Sequence, residues 1–149
     1  MAIVRLIFVE VLTWFWACWF SLVTLSNLAD GLKTLGILPA HWPFASGNFA
    51  AIEKVTEIYA VPHAINSVLF VAVIVIEIVI AVLFWRAARG RGASERVMSR
   101  DLALSLAVAL FAGFLVADEL FIAWPTGIGG NHFGILTALV ATWIAGRID

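Results

Sequence analysis

The stretch that decides the fold is residues 64–91, which reads AINSVLFVAVIVIEIVIAVLFWRAARGR. From Ala64 to Trp85 the chain is almost wholly apolar, and Glu77 is its one charged side chain. A helix needs ~20 mostly apolar residues to cross ~30 Å of hydrocarbon, so this stretch predicts a membrane span. Arginines follow at once, and they mark this end of the span as a membrane surface.

The whole chain has the same apolar character. Of its 149 residues, 63% are hydrophobic and 13% are charged, against roughly 45–50% and 25% in soluble domains. This excess of apolar surface excludes a soluble enzyme and a disordered tail, and a net charge of -1 offers no basic field for nucleic acid. The single cysteine, Cys18, excludes an internal disulfide and a cysteine-based metal site. The sequence therefore predicts an integral membrane protein.

Three further apolar stretches predict an all-α bundle of four transmembrane helices, forming one domain over residues 1–149. The spans are predicted at residues 3–25, 64–85, 102–124 and 127–146. An outer loop is predicted at residues 26–61, and a cytoplasmic arginine-rich loop at residues 86–101. Within the outer loop, apolar residues at helical spacing predict a short amphipathic helix, with Asn48 as its cap.

The distribution of basic residues predicts the orientation. Seven basic residues fall on the side of the arginine-rich loop, and two, Lys33 and Lys54, fall on the other side. By the positive-inside rule, the arginine-rich loop and both chain termini are cytoplasmic.

The predicted spans contain four acids and no interior lysine or arginine. Glu10 and Glu77 each lie roughly 10 to 14 Å from the arginine-rich side, at 1.5 Å per residue, so we expect them at similar depth. Ion pairs within the chain are not expected for them unless Arg5 or Arg86 reaches inward. Three interpretations are open. The two acids share a proton and act as a relay, or they are protonated and form hydrogen bonds between the first two spans, or one or both face a cation on a partner subunit.

A second polar cluster is predicted on the outer side of the bundle. Its members are Asn27, Asp30, His63, Asn66, Asp118 and Glu119, with His132 nearby. Helical phase favours the bundle interior for Glu119 and water for Asp118. His63, Glu119 and His132 are ligand types that suit a metal ion, and the two histidines also suit haem. Neither the zinc-protease nor the di-iron spacing occurs, so no cofactor is expected.

Several short motifs resemble a family of small four-span bacterial inner-membrane proteins that is classified as a domain of unknown function. The motifs are Ser26-Asn27-Leu28-Ala29-Asp30, Val61-Pro62-His63-Ala64, Glu77, and Glu119 ahead of Trp124. The resemblance covers nearly the whole chain. It implies a four-helix fold in a bacterial inner membrane, and it supplies no catalytic residue.

No nucleophile elbow, phosphate loop, dinucleotide fingerprint or catalytic triad occurs in the sequence, so an enzymatic activity is not expected. We predict a non-catalytic accessory or assembly subunit of a larger membrane complex. Its partners would be membrane lipids and other integral membrane subunits, or further copies of this chain. One alternative is a carrier of protons or metal ions that works through Glu10, Glu77, Glu119 and His63. The other is a haem-binding electron carrier.

Overall fold

The computed structural model describes residues 2–123, 125 and 127–147, except for the side chains of residues 2, 3 and 5. The structure is 82% helical, and the residues described contain no strand. The helices are α1 Ala2–Thr34, α2 Asn48–Thr56, α3 His63–Arg89, α4 Ala93–Leu120 and α5 Ile128–Ala145, with a short 3-10 turn at Glu57–Tyr59. Helices α1, α3, α4 and α5 are each long and apolar enough to cross a membrane. The predicted all-α bundle with a short extra helix is confirmed.

The four long helices pack around one central layer of apolar side chains. Helix α3 lies between α1 and α4, and α5 packs mainly against α4. We call the buried residues at the middle of the bundle the core layer: Trp16, Ala17, Phe20, Ile80, Phe84, Leu104, Ala107, Phe111 and Leu139. Within it, the Phe20 and Phe84 rings stack with centroids 5.8 Å apart. The core layer separates the two ends of the bundle. We call them the α2 end, which α2 covers, and the arginine end, which carries Arg86, Arg89, Arg91, Arg96, Arg100 and Arg147.

Helix α1 runs nine residues past its predicted end. Asn27 and Asp30 were predicted to lie in a loop, but both are buried in the last turns of α1. Their side chains have hydrogen-bond partners on other elements, so their polarity does not end the helix. The helix ends at Thr34, and Gly36 follows with a left-handed φ of 71°, which suits a residue without a Cβ.

The prediction of a loop at residues 86–101 is wrong, because α3 and α4 together occupy most of these residues. Only residues 90–92 connect the two helices. Arg86 reaches across the turn to Glu95 at 3.4 Å, and Arg96 donates to the carbonyl oxygen of Ala87 at 3.0 Å. These contacts tie the first turn of α4 to the last turn of α3. The other end of α4 is Leu120, and the predicted span end at Trp124 lies outside the described residues.

Helix α2 covers one end of the bundle, and its start differs from the prediction. Asn48 does not cap the helix with its side chain. The amide of Phe49 instead donates to Asp30 at 2.9 Å, and the amide of Asn48 donates to the Ser46 hydroxyl at 3.1 Å. A carboxylate on α1 therefore satisfies an amide that the helix start leaves open. Phe49 also packs on Phe70, so α2 is anchored to both α1 and α3.

Candidate functional site

A cavity of about 360 Å³ lies under α2, among the long helices. Its volume falls in the range of roughly 300–1,000 Å³ that is typical of small-molecule sites. The polar side chains that line it are Asn27, Asn48, Glu77, Asp118, Asn131 and His132. Apolar side chains, including Trp19, Phe70, Phe111 and Phe114, form much of the remaining wall. Phe111 also belongs to the core layer, which therefore forms the floor of the cavity on the side of the arginine end.

Two acids line the cavity, and Glu77 is the one without a charged neighbour among the described residues. Its residue exposure is 4%, and the side-chain amide of Asn27 donates to its two carboxylate oxygens at 3.0 and 2.8 Å. Asn27 in turn accepts a hydrogen bond from the Asn48 side chain at 2.8 Å. These three side chains link α3, α1 and α2. Among the described residues, no lysine, arginine or histidine lies within ion-pair distance of Glu77.

The second polar feature of the cavity is a carboxylate–imidazole pair. Nδ1 of His132 lies 2.7 Å from a carboxylate oxygen of Asp118, which is buried. The imidazole ring also lies against Phe114, with centroids 4.9 Å apart. Because Nδ1 is bound to the carboxylate, Nε2 is the nitrogen left to exchange a hydrogen bond or a proton with a ligand. Within the part of the chain that the structure describes, Nε2 has no hydrogen-bond partner.

The predicted environments of Asp118 and Glu119 are reversed in the structure. Asp118 is buried in the bundle, and Glu119 is exposed. On α4 the buried face includes Leu104, Phe111 and Asp118, which are seven residues apart and so lie on one side of the helix. Neighbouring residues of a helix point about 100° apart around its axis. The prediction placed the buried face of α4 one residue too far along the chain.

The predicted outer cluster divides into two groups. Asn27 and Asp118 line the cavity, whereas the other members lie elsewhere. Asp30 caps α2, and Asn66 donates to Thr56 at 2.9 Å in a buried contact. His63 is exposed and lies 2.6 Å from Glu53, a residue of α2. These side chains position α2 over the cavity, and so they support the site without lining it.

Glu10 and Glu77 do not form the predicted pair. Glu77 is bonded to Asn27, which lies 17 residues beyond Glu10, or about 25 Å along α1 at 1.5 Å per residue. The depth prediction assumed that the first two spans end level with each other on the arginine-rich side. Instead Trp14, four residues beyond Glu10, packs against Trp85, which is eight residues from Glu77, so α1 is offset along α3. The two acids therefore lie in different regions of the bundle.

Glu10 also has a cation within the chain, contrary to the prediction. Arg96 makes a close ion pair with Glu10, and the indole of Trp14 donates to the same carboxylate at 3.2 Å. Arg96 was not predicted as a partner because it lay in a predicted loop, whereas it belongs to the first turns of α4. Arg86 pairs with Glu95, and the Arg5 side chain lies outside the described residues.

The three weak metal candidates are not brought together. His63 pairs with Glu53, His132 pairs with Asp118, and Glu119 is exposed. Across the described ranges, no group of three or more His, Cys, Asp or Glu residues is arranged to hold a metal ion. The haem prediction is not tested by these contacts and stays a prediction.

The fold and the cavity define the class: a helical, multi-pass membrane protein whose long helices surround a cavity lined by both polar and apolar side chains. Comparison with protein-family profiles, characterised proteins and solved structures finds no match for this chain. The resemblance to the four-span family stays a prediction, and the function is inferred from the geometry of the chain itself.

Proposed function

We propose that this protein binds a small organic cation in the cavity under α2, as a non-catalytic binding or carrier protein. The observation that carries the proposal is the burial of Glu77 with a neutral amide as its hydrogen-bond partner. An ionised carboxylate enclosed in this way costs several kcal/mol unless a cation accompanies it. A positively charged ligand that enters the cavity would supply that cation.

The apolar part of the wall favours an organic cation over a bare ion. Trp19, Phe111 and Phe114 present aromatic rings to the cavity. Such rings attract organic cations through their faces and also contact the apolar body of a ligand. The Asp118–His132 pair adds a second polar contact, through which the ligand would exchange a hydrogen bond. Of the residues in the predicted ion-carrier alternative, Glu77 lines this cavity, whereas Glu10, Glu119 and His63 do not.

Binding is tested by calorimetry on the protein in phosphatidylcholine nanodiscs, with benzylamine as the probe. Neutral benzyl alcohol and anionic benzoate are the matched compounds of similar shape. We expect benzylamine to bind at least tenfold more tightly than either, and Glu77→Gln to remove that preference. Glu119→Gln is the control, because it neutralises an exposed carboxylate on the same bundle. Equal binding of the three compounds, or equal effects of the two substitutions, would overturn the proposal.

We also propose that the protein lies in a bacterial inner membrane with both termini in the cytoplasm, so that α2 faces outward. The orientation is supported by the excess of basic residues at the arginine end, seven against two, and the choice of membrane follows from the resemblance to the four-span family. The test uses His41→Cys and Arg91→Cys in a Cys18→Ser background, with a membrane-impermeant maleimide on intact cells. We expect label at position 41 in intact cells and at position 91 only after permeabilisation. The reverse pattern would invert the orientation.

The predicted accessory-subunit role rested partly on acids without a cation in the chain. Arg96 now accounts for Glu10, so that support is reduced to Glu77. Native purification from the membrane tests the role directly, because stoichiometric membrane subunits would accompany the chain. An absorbance spectrum of the same sample tests the electron-carrier alternative, since bound haem would give a strong visible band.

A further inference from the structure

The arginine end of the bundle carries more positive charge than its own acids neutralise. Its arginines in the described ranges are Arg86, Arg89, Arg91, Arg96, Arg100 and Arg147, and its acids there are Glu10, Glu95 and Asp101. Each of these acids is already paired with an arginine: Glu95 with Arg86, Glu10 with Arg96, and Asp101 with Arg147. The remaining arginines leave this end of the protein positively charged.

Arg89 is held by two aromatic rings and has no carboxylate partner in the described ranges, whereas Arg147 lies over Trp143 and also pairs with Asp101. The Cζ of Arg89 lies 4.2 Å from the centroid of the Trp85 ring and 6.0 Å from that of the Trp14 ring. The two rings pack edge to face at 5.4 Å, and the Trp85 indole donates to Ser21 at 2.9 Å. The guanidinium is therefore held in place, which lowers the entropy lost when it binds an anion. No carboxylate pairs with Arg89 among the residues described.

An exposed apolar track on α3 leads directly to this guanidinium. Ile78, Val82, Trp85 and Arg89 follow one another at intervals of four, three and four residues, so they share one face of the helix. Ile78 and Val82 are both exposed on the surface of the bundle. The face therefore changes from aliphatic, to indole, to cation as it approaches the end of the span. This order matches acyl chain, interface and headgroup in a bilayer leaflet.

We propose that Arg89 and its two tryptophans form a binding site for the phosphate of an anionic phospholipid, with an acyl chain lying along Ile78 and Val82. The guanidinium would donate paired hydrogen bonds to the phosphate oxygens. The apolar track favours a lipid phosphate over a soluble phosphate ion, because a soluble ion has no acyl chain to pack against Ile78 and Val82. Zwitterionic lipids carry a compensating cation and bind this site more weakly.

Native mass spectrometry of the detergent-solubilised protein tests the proposal, with phosphatidylglycerol and phosphatidylcholine as probes. We expect phosphatidylglycerol to be retained at least fivefold better than phosphatidylcholine. Arg89→Gln should abolish this preference, whereas Arg91→Gln should keep it. Arg91 is the matched control, since it is an exposed arginine two residues away with no ring contact in the described structure. Arg89→Lys keeps the charge without the planar stack and should give an intermediate preference.

Several results would contradict this assignment. Equal losses in Arg89→Gln and Arg91→Gln would mean that the charge acts diffusely and that no defined site exists. Equal retention of the two lipids would mean that the headgroup charge is not recognised. Competition by glycerol phosphate at the same concentration as the lipid would show a site for soluble phosphate. Helical circular dichroism of each variant confirms that a loss of binding is not a loss of fold.

Discussion

The substitution Phe20→Ala tests the packing that separates the two ends of the bundle. Phe20 has 0% exposure, and its ring stacks on Phe84 and meets the edge of Trp19 at 4.9 Å. Trp19 lines the cavity, so Phe20 lies directly behind the cavity wall. Removing the ring therefore weakens both the core layer and the support of the site.

The expected cost follows from the void that the missing ring leaves. In a water-soluble protein, a buried Phe→Ala change costs about 3–5 kcal/mol, which combines a transfer term with a cavity term. In a bilayer the transfer term largely disappears, because lipid chains are as apolar as the core. A void of roughly 100 Å³ at about 24 cal/mol per Å³ leaves about 2.4 kcal/mol. We expect the free energy of unfolding to fall by that amount.

The assay is reversible unfolding in mixed micelles of increasing SDS content, followed by the near-ultraviolet circular dichroism of the tryptophans. Phe8→Ala is the matched control on the same helix, because Phe8 is 53% exposed on the surface of the bundle. Its loss should change the free energy of unfolding by less than about 0.5 kcal/mol, as is usual for surface substitutions. If Phe8→Ala lowers the free energy of unfolding as much as Phe20→Ala, then α1 does not bury Phe20 while exposing Phe8, contrary to the structure.

Two further substitution sets test the ion pairs on either side of the core layer. Asp118→Asn should lower the free energy of unfolding by about 1.5–3 kcal/mol, since it weakens the hydrogen bond between the buried Asp118 carboxylate and the partly buried His132. Glu119→Gln on the exposed side should leave the same SDS unfolding curve unchanged, and equal effects would contradict the burial pattern. A double-mutant cycle with Glu10→Gln and Arg96→Gln should give a coupling energy below about 1 kcal/mol, because both side chains are about 40% exposed. A coupling of several kcal/mol would mean that this pair is far more enclosed than the structure indicates.

The membrane spans were predictable because their signal is local. Length and apolarity alone identify a spanning helix, and the predicted fourth span at residues 127–146 differs from α5 by one residue at each end. Helix ends were less predictable where a distant residue satisfies a polar group. Asp30 remains helical because it caps α2, and that contact joins residues 19 positions apart. The sequence near Asp30 carries no sign of it.

The candidate site was harder to predict, because it depends on rotation and offset between helices. The polar residues of the spans were recognised as unusual, and Glu77, Asn27 and Asp118 do line one cavity. Their grouping was wrong, since Glu77 was assigned to Glu10 and Glu119 was placed inside instead of Asp118. An error of one residue in phase, or of a few turns in depth, exchanges one neighbour for another. Periodicity cannot correct such an error without the contacts between helices.

The contrast between Glu10 and Glu77 bears directly on function. The chain contains several arginines, and one of them pairs with Glu10, an acid that is still about 40% exposed. Glu77 is almost fully enclosed, yet its hydrogen bonds come from an amide. If neutralising buried acids were the only requirement, the more enclosed carboxylate would need the cation more. The structure has the opposite arrangement, with the arginine beside the more exposed acid. The Glu77 carboxylate therefore remains free to pair with a cation from outside the chain. The same feature that makes Glu77 costly to bury thus supports its proposed role in binding a cationic ligand.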